Sequence, residues 1–270
     1  MPELPEVETS RRGIEPFLVG ERIDKVIVRE KRLRWPVRAD VAKQLTNQTV
    51  NSVTRRAKYL LINTSNGSAM IHLGMSGSIY IVDHDTPAGV HEHFDFDLTS
   101  GKTLRYRDPR RFGSLHWTGN PEQHKLIKSL GPEPLGDEFS GEYLWQRSRR
   151  RKVTIKQFIM NANVVVGVGN IYASEALFLA GISPLRAAGR VARQRYDVLA
   201  DVIRQVLLKA IEAGGTTLRD FYGGDGEAGY FQQELAVYGR EDEPCITCKQ
   251  AISAVVQGQR STFYCKQCQR

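Results

Sequence analysis

Apolar residues follow one rhythm in the first half of the chain and another in the second. Short apolar runs, rich in β-branched and aromatic residues, come first: RIDKVIV at 22–28, VNSVTRRAKYLLINT at 50–64, SAMIHLGM at 68–75 and SIYIV at 78–82. Such runs predict strands. Asn66-Gly67 and Ser100-Gly101 lie between them, where a hairpin needs residues that tolerate positive φ. The segment 93–117 predicts a further hairpin, HFDFDLTS turning into KTLRYRD and then RFGSLHW. One helix precedes the strands and starts near Pro5, since proline in a first helical turn sacrifices no hydrogen bond.

Past residue 140 the spacing lengthens to three and four. YLWQRSR, KVTIKQFIM, NIYASEALFLA and the long VARQRYDVLADVIRQVLLKAIEA at 191–213 all predict helices. GPEPLGDEF at 131–139 reads as a linker. After the long helix, the glycine-rich stretch 214–230 predicts a loop, and a segment from about 235 holds every cysteine. The expected class is α+β with several domains: 1–130, a linker at 131–139, 140–234, and 235–270.

A chain of 270 residues can bury a sizeable core, and its composition (41% hydrophobic, 25% charged) is that of a folded protein. The net charge of +8 adds a preference for an acidic partner. Its distribution sharpens this: eleven Lys/Arg against three acids lie between Arg22 and Lys58, and six against none between Tyr143 and Ser174. Two separate basic stretches suit a long polyanion better than a small anion. No apolar stretch approaches the roughly 20 residues of a membrane helix and no signal peptide is legible, so a cytoplasmic monomer is expected.

The strongest local signal is Cys245-Ile-Thr-Cys248 and, after sixteen intervening residues, Cys265-Lys-Gln-Cys268. This is the spacing of a zinc ribbon, in which two knuckles supply four thiolates to one tetrahedral ion. Four protein ligands leave no open position, so the expected Zn²⁺ is structural. Two disulfides are the competing use of these cysteines, disfavoured in a cytosolic chain. Gln259-Arg260 falls near the turn of the intervening hairpin, within reach of a phosphate.

PELPEVE at 2–8, HLGMSG at 72–77, DPRRFG at 108–113, GVGNIYASEALF at 167–178 and the cysteine ribbon occur in that order. Together they resemble the bacterial formamidopyrimidine-DNA glycosylases, enzymes that remove oxidised purines such as 8-oxoguanine from duplex DNA and then cut the abasic strand. The resemblance spans essentially the whole chain. It implies an N-terminal helix and β-sandwich, a helix–two-turn–helix domain with a lesion loop at 214–230, and a zinc ribbon. It also implies removal of Met1, which exposes the Pro2 nitrogen as a secondary amine.

Chemistry explains that arrangement. An α-amino group titrates near about 8 and a lysine near about 10.4, so at neutral pH the terminus is far more often nucleophilic. An iminium formed from proline has no N–H to lose and stays a cationic electron sink through the elimination that follows. The family pattern makes Pro2 the nucleophile and Glu3 the acid/base partner, with Lys58 and Arg260 as further catalytic groups and Glu6 in support. It assigns His72, His91, Arg110, Lys156 and Asn170 to DNA, and Met75, Arg110 and Phe112 to the void left by an everted base. Filling that void keeps the stacked duplex from closing.

The same residue types have blander uses. Acids in a first helical turn complement the helix dipole, and a methionine is more often core than probe. His91-Glu-His93 places two imidazoles near one another, but with no third ligand evident it reads as hydrogen-bonded or surface histidine. GVGNIY lacks the third glycine and the βαβ setting of a dinucleotide site. Two other readings compete with the oxidised-purine enzyme: an oxidised-pyrimidine glycosylase of the endonuclease VIII type, whose sequences start PEGPEI, and a non-catalytic zinc-ribbon DNA-binding protein. Leu4 and DPRRFG favour the purine branch, and Pro2, Glu3 and Lys58 argue against loss of chemistry.

Overall fold

The computed structural model describes residues 2–214 and 235–270. Its contacts divide the described chain into two compact units, one built on residues up to 128 and the other on 129–212 with 235–270.

The first unit opens with helix α1 (Leu4–Leu18), which has proline in its first turn. Eight strands follow: β1 (Ile23–Val28), β2 (Ser52–Arg56), β3 (Tyr59–Thr64), β4 (Gly67–His72), β5 (Ser78–Asp83), β6 (Glu92–Leu98), β7 (Lys102–Arg107) and β8 (Ser114–Thr118), with a five-residue helix α2 (Val41–Leu45) after β1. They form two antiparallel sheets, ordered β1-β6-β7-β5 and β2-β3-β4-β8. One apolar cluster joins both sheets to the helix. It takes Val7, Ile14 and Leu18 from α1, Leu60, Ile62 and Leu115 from one sheet, and Phe94, Phe96 and Tyr106 from the other. A fully buried Leu or Phe contributes about 1.5–3 kcal/mol, so this shared cluster is what closes the β-sandwich.

The apolar run 50–64 is not a single strand. Arg56 pairs with Tyr59, so the chain reverses at Ala57-Lys58 in a two-residue turn with Ala57 at φ 55°. Neither residue announces a turn, because positive φ at alanine has to be imposed by the pairing on either side. The 93–117 segment also divides differently from expectation. β6 and β7 form the hairpin about Ser100-Gly101, while β8 leaves to pair with β4 in the other sheet.

In the second unit, α3 (Gly141–Ser148) is capped by the Ser140 side chain and α4 (Ile155–Ile159) by Thr154. α5 (Asn170–Leu179) is buried on nearly every side, and α6 (Arg193–Glu212) turns Tyr196, Leu199, Ile203, Leu207 and Ala210 inward. KVTIKQFIM is helical only over the five residues of α4. β9 (Ser253–Gln257) and β10 (Arg260–Tyr264) make the ribbon hairpin, with Gly258 and Gln259 both at positive φ in its turn. The ribbon packs on the helices through Phe178, Cys245, Ile252 and Cys265. Gln269 fixes the end of the chain, donating to Ile182 O at 3.0 Å and accepting from Cys265 N at 2.8 Å. Among the described residues no helix is long and apolar enough to cross a membrane.

Candidate active site

Pro2, Glu3 and Glu6 are all buried where α1 begins, with Glu3 at 2% and Glu6 at 3% exposure. Glu3 takes the extended conformation of an N-cap, and its N–H donates to Glu6 Oε2 at 2.7 Å. Glu6 therefore shapes the turn that presents residues 2 and 3, and the carboxylates do more than face a helix dipole. The register of α1 on β2 extends the site. Arg11 donates to Val53 O at 3.1 Å and Glu8 pairs with Arg55 at 3.2 Å, so moving back along α1 moves forward along β2, toward the Ala57-Lys58 turn.

Lys58 stands at that turn, and its charge reaches His72, which lies across the β3–β4 pairing from Tyr59. Burial and then the Lys58 and Arg34 charges push the His72 imidazole down to about 4. His72 Nδ1 accepts the Gly74 N–H at 2.9 Å, which leaves the proton of the neutral ring on Nε2. The ring is therefore neutral, with its proton on Nε2, throughout the physiological range. Tyr59 packs its ring 4.9 Å from the same imidazole and holds its plane.

Met75, Arg110 and Phe112 are exposed, Met75 at 41% and Phe112 at 43%. A methionine exposed among buried neighbours is not a core residue. The Arg110 guanidinium lies 4.8 Å from the centroid of the Phe112 ring, so charge and wedge form one surface element. His91 is exposed with φ 70°, while His93 is buried with Nε2 2.7 Å from Asp108 O. The two imidazoles part company here: His93 is a hydrogen-bonded structural histidine, and among the described residues the pair belongs to no metal-ligating group.

In the second unit Arg260 stands exposed at the start of β10, beside the hairpin turn. It lines a cavity of about 190 Å³ with Lys156, Gln157, Met160, Gln257, Gly258 and Thr262. Lys156 departs from expectation. Its side chain is 1% exposed, and Nζ donates to Thr262 Oγ1 at 2.9 Å and Ser261 O at 3.1 Å, so the ammonium holds β10. A position on a helix of only five residues, with the ribbon packed over it, is the physical reason. Asn170, at the first position of α5, also turns to β10, donating to Ser261 O at 3.0 Å. Gly169, the N-cap, is extended, and Gly167 before it takes φ 79°.

The four cysteine sulfurs lie within 4.8 Å of one another, with Cys248 and Cys265 at 3.4 Å and Cys245 and Cys268 at 3.9 Å. None is in a disulfide. Thiolates about 2.3 Å from a common tetrahedral zinc would be spaced much like this, so the donor set fits one structural Zn²⁺. The Lys249 N–H bonds to Cys245 O, and the Gln269 N–H to Cys265 O, each at 3.0 Å, closing the two knuckles.

Two buried acids lie inside the ordered motifs, although neither is among the expected site residues. Asp108 lies inside DPRRFG and binds the backbone around the exposed residues. Glu175, on α5, accepts the backbone N–H groups of Ala236, Val237 and Tyr238 at 2.7, 3.0 and 2.9 Å. For Glu175 the signal is an acid among the apolar residues of a helix, which burial tolerates only when the acid is paired; Asp108, between Arg107 and Pro109 in a loop, carries no such signal. The loop at 214–230 lies, beyond Gly214, outside the described residues.

Pro2 beside two buried carboxylates, the exposed Met75, Arg110 and Phe112, and an exposed arginine on the ribbon hairpin are the arrangement on which comparison with known proteins bears. Residues 1–115 match the formamidopyrimidine-DNA glycosylase N-terminal domain, 130–222 its H2TH domain, and 242–270 the zinc finger found in FPG and IleRS. The chain is 57% identical to the formamidopyrimidine-DNA glycosylase of Stutzerimonas stutzeri and 58% to that of Pseudomonas putida, each over all of both chains. Among solved structures it is similar to the MutM (FPG) protein of Thermus thermophilus (TM-score 0.88, 34% identity, covering 99% of this chain and 98% of that one). A Lactococcus lactis FPG variant in complex with Fapy-dG-containing DNA matches with a TM-score of 0.91 at 32% identity, over 100% of both chains. The chain belongs to the formamidopyrimidine-DNA glycosylase family. It is a base-excision repair enzyme, a DNA glycosylase toward oxidised purines and an AP lyase toward abasic sites, and its four clustered cysteines fit one structural zinc.

Proposed function

We propose that Pro2, freed by removal of Met1, attacks C1′ of the damaged nucleotide and displaces the oxidised purine. The nitrogen lone pair forms the new bond as the base departs with the glycosidic pair. Ring opening gives an iminium, loss of the C2′ proton expels the 3′ phosphate, and a second elimination expels the 5′ phosphate. Glu3 handles proton transfers at the sugar and stabilises the developing cation, Lys58 and Arg260 assist the eliminations, and Glu6 holds the turn. Met75, Arg110 and Phe112 fill the void, Arg110 facing the orphaned cytosine. His72, His91 and Asn170 bind the strand. Lys156 acts through β10, positioning Arg260.

The observation that carries this reading is the buried first turn of α1, where the Glu3 N–H bonds to Glu6 Oε2 at 2.7 Å and the α1–β2 register runs toward Lys58. A carboxylate held out of water beside an amine stabilises a cation that forms there, and the iminium is such a cation. The domain division 1–130, 140–234 and 235–270, and action in the cytoplasm on nucleoid DNA, belong to the same proposal.

Borohydride trapping on a duplex carrying 8-oxoguanine opposite cytosine, followed by peptide mass spectrometry, tests it. The expected adduct sits on Pro2. Pro2→Gly is expected to lose trapping by about a hundredfold or more while still binding the duplex, and unchanged trapping would remove Pro2 as nucleophile. An enzyme that releases oxidised pyrimidines and leaves 8-oxoguanine would move to the endonuclease VIII type.

A further inference from the structure

Asp108 is fully buried, and both its carboxylate oxygens are held by neutral donors. Oδ1 accepts from Ser76 Oγ at 2.8 Å and from the Arg110 N–H at 3.2 Å. Oδ2 accepts from the Gly113 N–H at 2.8 Å and from Tyr106 OH at 3.1 Å. Its backbone adds to this: the carbonyl takes His93 Nε2 at 2.7 Å and the Arg111 N–H at 3.2 Å, and its own N–H donates to His91 O at 2.9 Å. One residue therefore ties together three stretches of chain that are far apart in sequence. Each carries an exposed candidate DNA contact beside the point of attachment: Met75 next to Ser76, Phe112 next to Gly113, and Arg110 and His91 at their own backbone.

The loops are also interlocked at their backbones. Gly74 takes φ 70°, and a Cβ there would overlap Gly113 N and the Phe112 carbonyl carbon. A Cβ on Gly113 would overlap the Tyr106 hydroxyl. Close approach brings Met75 and Phe112 together, and Asp108 supplies the polar partner that the touching backbones need. Burial and then the neighbouring carboxylate push the Tyr106 phenol well up, so its hydroxyl keeps the proton it donates.

We infer that Asp108 is a positioning residue that makes Met75, Arg110 and Phe112 a single wedge, so that the three enter the duplex together and not one by one. The inference rests on the reading that these side chains fill the void. A wedge of three flexible side chains on separate loops would have to be ordered at every insertion, whereas a preorganised one is held at the geometry it needs.

Asp108→Asn is the direct test, because it keeps size and shape. An amide presents one acceptor oxygen and one N–H₂ group, so whichever way it turns, either the Arg110 or the Gly113 N–H faces a donor. Hydroxyls on Ser76 and Tyr106 can rotate to compensate, but backbone N–H groups cannot. Expected is a fall of about ten- to a hundredfold in single-turnover excision of 8-oxoguanine opposite cytosine, the scale of a small misplacement at a site. Discrimination between cytosine and adenine opposite the lesion should fall too, while trapping on a single-stranded abasic oligonucleotide, which has no void to fill, is retained. Wild-type excision and opposite-base discrimination in a folded Asp108→Asn protein would overturn the inference. Should that variant fail to fold, a double-mutant cycle on Met75→Ala and Phe112→Ala decides: coupled losses support a single wedge, and independent, multiplying losses overturn it. Absence of a Pro2 adduct in the wild type would instead sink the catalytic proposal, a separate readout.

Discussion

The two units handle buried polar groups in different ways, and the contrast explains how each presents its functional surface. In the sandwich, the buried polar residue stands behind exposed ones: Asp108 is hidden, while Met75, Arg110 and Phe112 stand out from the loops it holds. In the helical unit the residues expected at the surface turn inward. Lys156 and Asn170 both donate to Ser261 O, and Arg260 is left exposed at the head of the same strand. A polar side chain in a recognised motif can thus stand at the surface or hold the element that carries a neighbour there.

Breaking the ribbon gives the largest expected effect on this contrast. Cys265→Ser removes one of four thiolates, and the mutant is expected to lose zinc and with it the fold of β9–β10, abolishing measurable duplex binding. Zinc content by metal analysis and binding by anisotropy check this, and a zinc-free protein with normal binding would contradict the structural role. The sandwich should keep its own unfolding transition.

Next in size is Lys156→Met, which keeps the buried stem and removes the ammonium. It takes the ammonium from Thr262 Oγ1 and leaves Ser261 O with the Asn170 amide, and about 1–3 kcal/mol of stability is expected to go with it. The salt dependence of duplex binding separates the two roles available to this lysine. If Lys156 gripped a phosphate, its removal would lower the slope of log K against log salt by about one charge. For a lysine turned to β10 that direct drop in slope is absent, and a full unit would return Lys156 to the phosphates.

Glu175→Gln is smaller in reach. Replacing one carboxylate oxygen by N–H₂ sets a donor against the backbone N–H groups of residues 236–238 and costs on the order of 1–3 kcal/mol locally. Faster hydrogen exchange at those three amides, with zinc retained, is the expected result. Unchanged protection would show that the segment is held by its apolar packing alone.

The smallest effect is a pH dependence. His72 and His116 are both pushed down to about 4 from an ordinary value of 6.5, mainly by burial. The folded form thus resists protonation that the unfolded chain accepts, so stability is full above 6.5 and declines as pH falls from there toward about 4. Partial exposure reduces the effect to roughly 1 kcal/mol per group. Denaturation midpoints between about pH 7 and pH 4.5 measure it, and His116→Gln is expected to flatten the curve. A midpoint that rises on acidification would reverse the sign and refute the assignment.

Much of the fold and the site is legible in the chain's local patterns. The shift from strand-like to helical spacing near residue 140, the helix starting at Pro5, the hairpin glycines and the cysteine spacing are of this kind, and local patterns record the neighbours a residue has in sequence. The ordered motifs do the same for the family. The Ala57-Lys58 turn is not legible, because its conformation is imposed by the pairing of Arg56 with Tyr59 and nothing in alanine or lysine asks for it.

The chain by itself determined the order of its elements, its zinc ligands and its membership of a DNA-repair family, since each depends on residues close together or on motifs of set composition. Tertiary structure alone decided which polar side chains are buried against the protein and which are left exposed. Ser76 meets Asp108 across 32 residues, and Lys156 meets Thr262 across 106. Whether an ammonium or a carboxylate is buried depends on what the distant chain brings to it, because desolvating either without a partner costs more than most folds can spare.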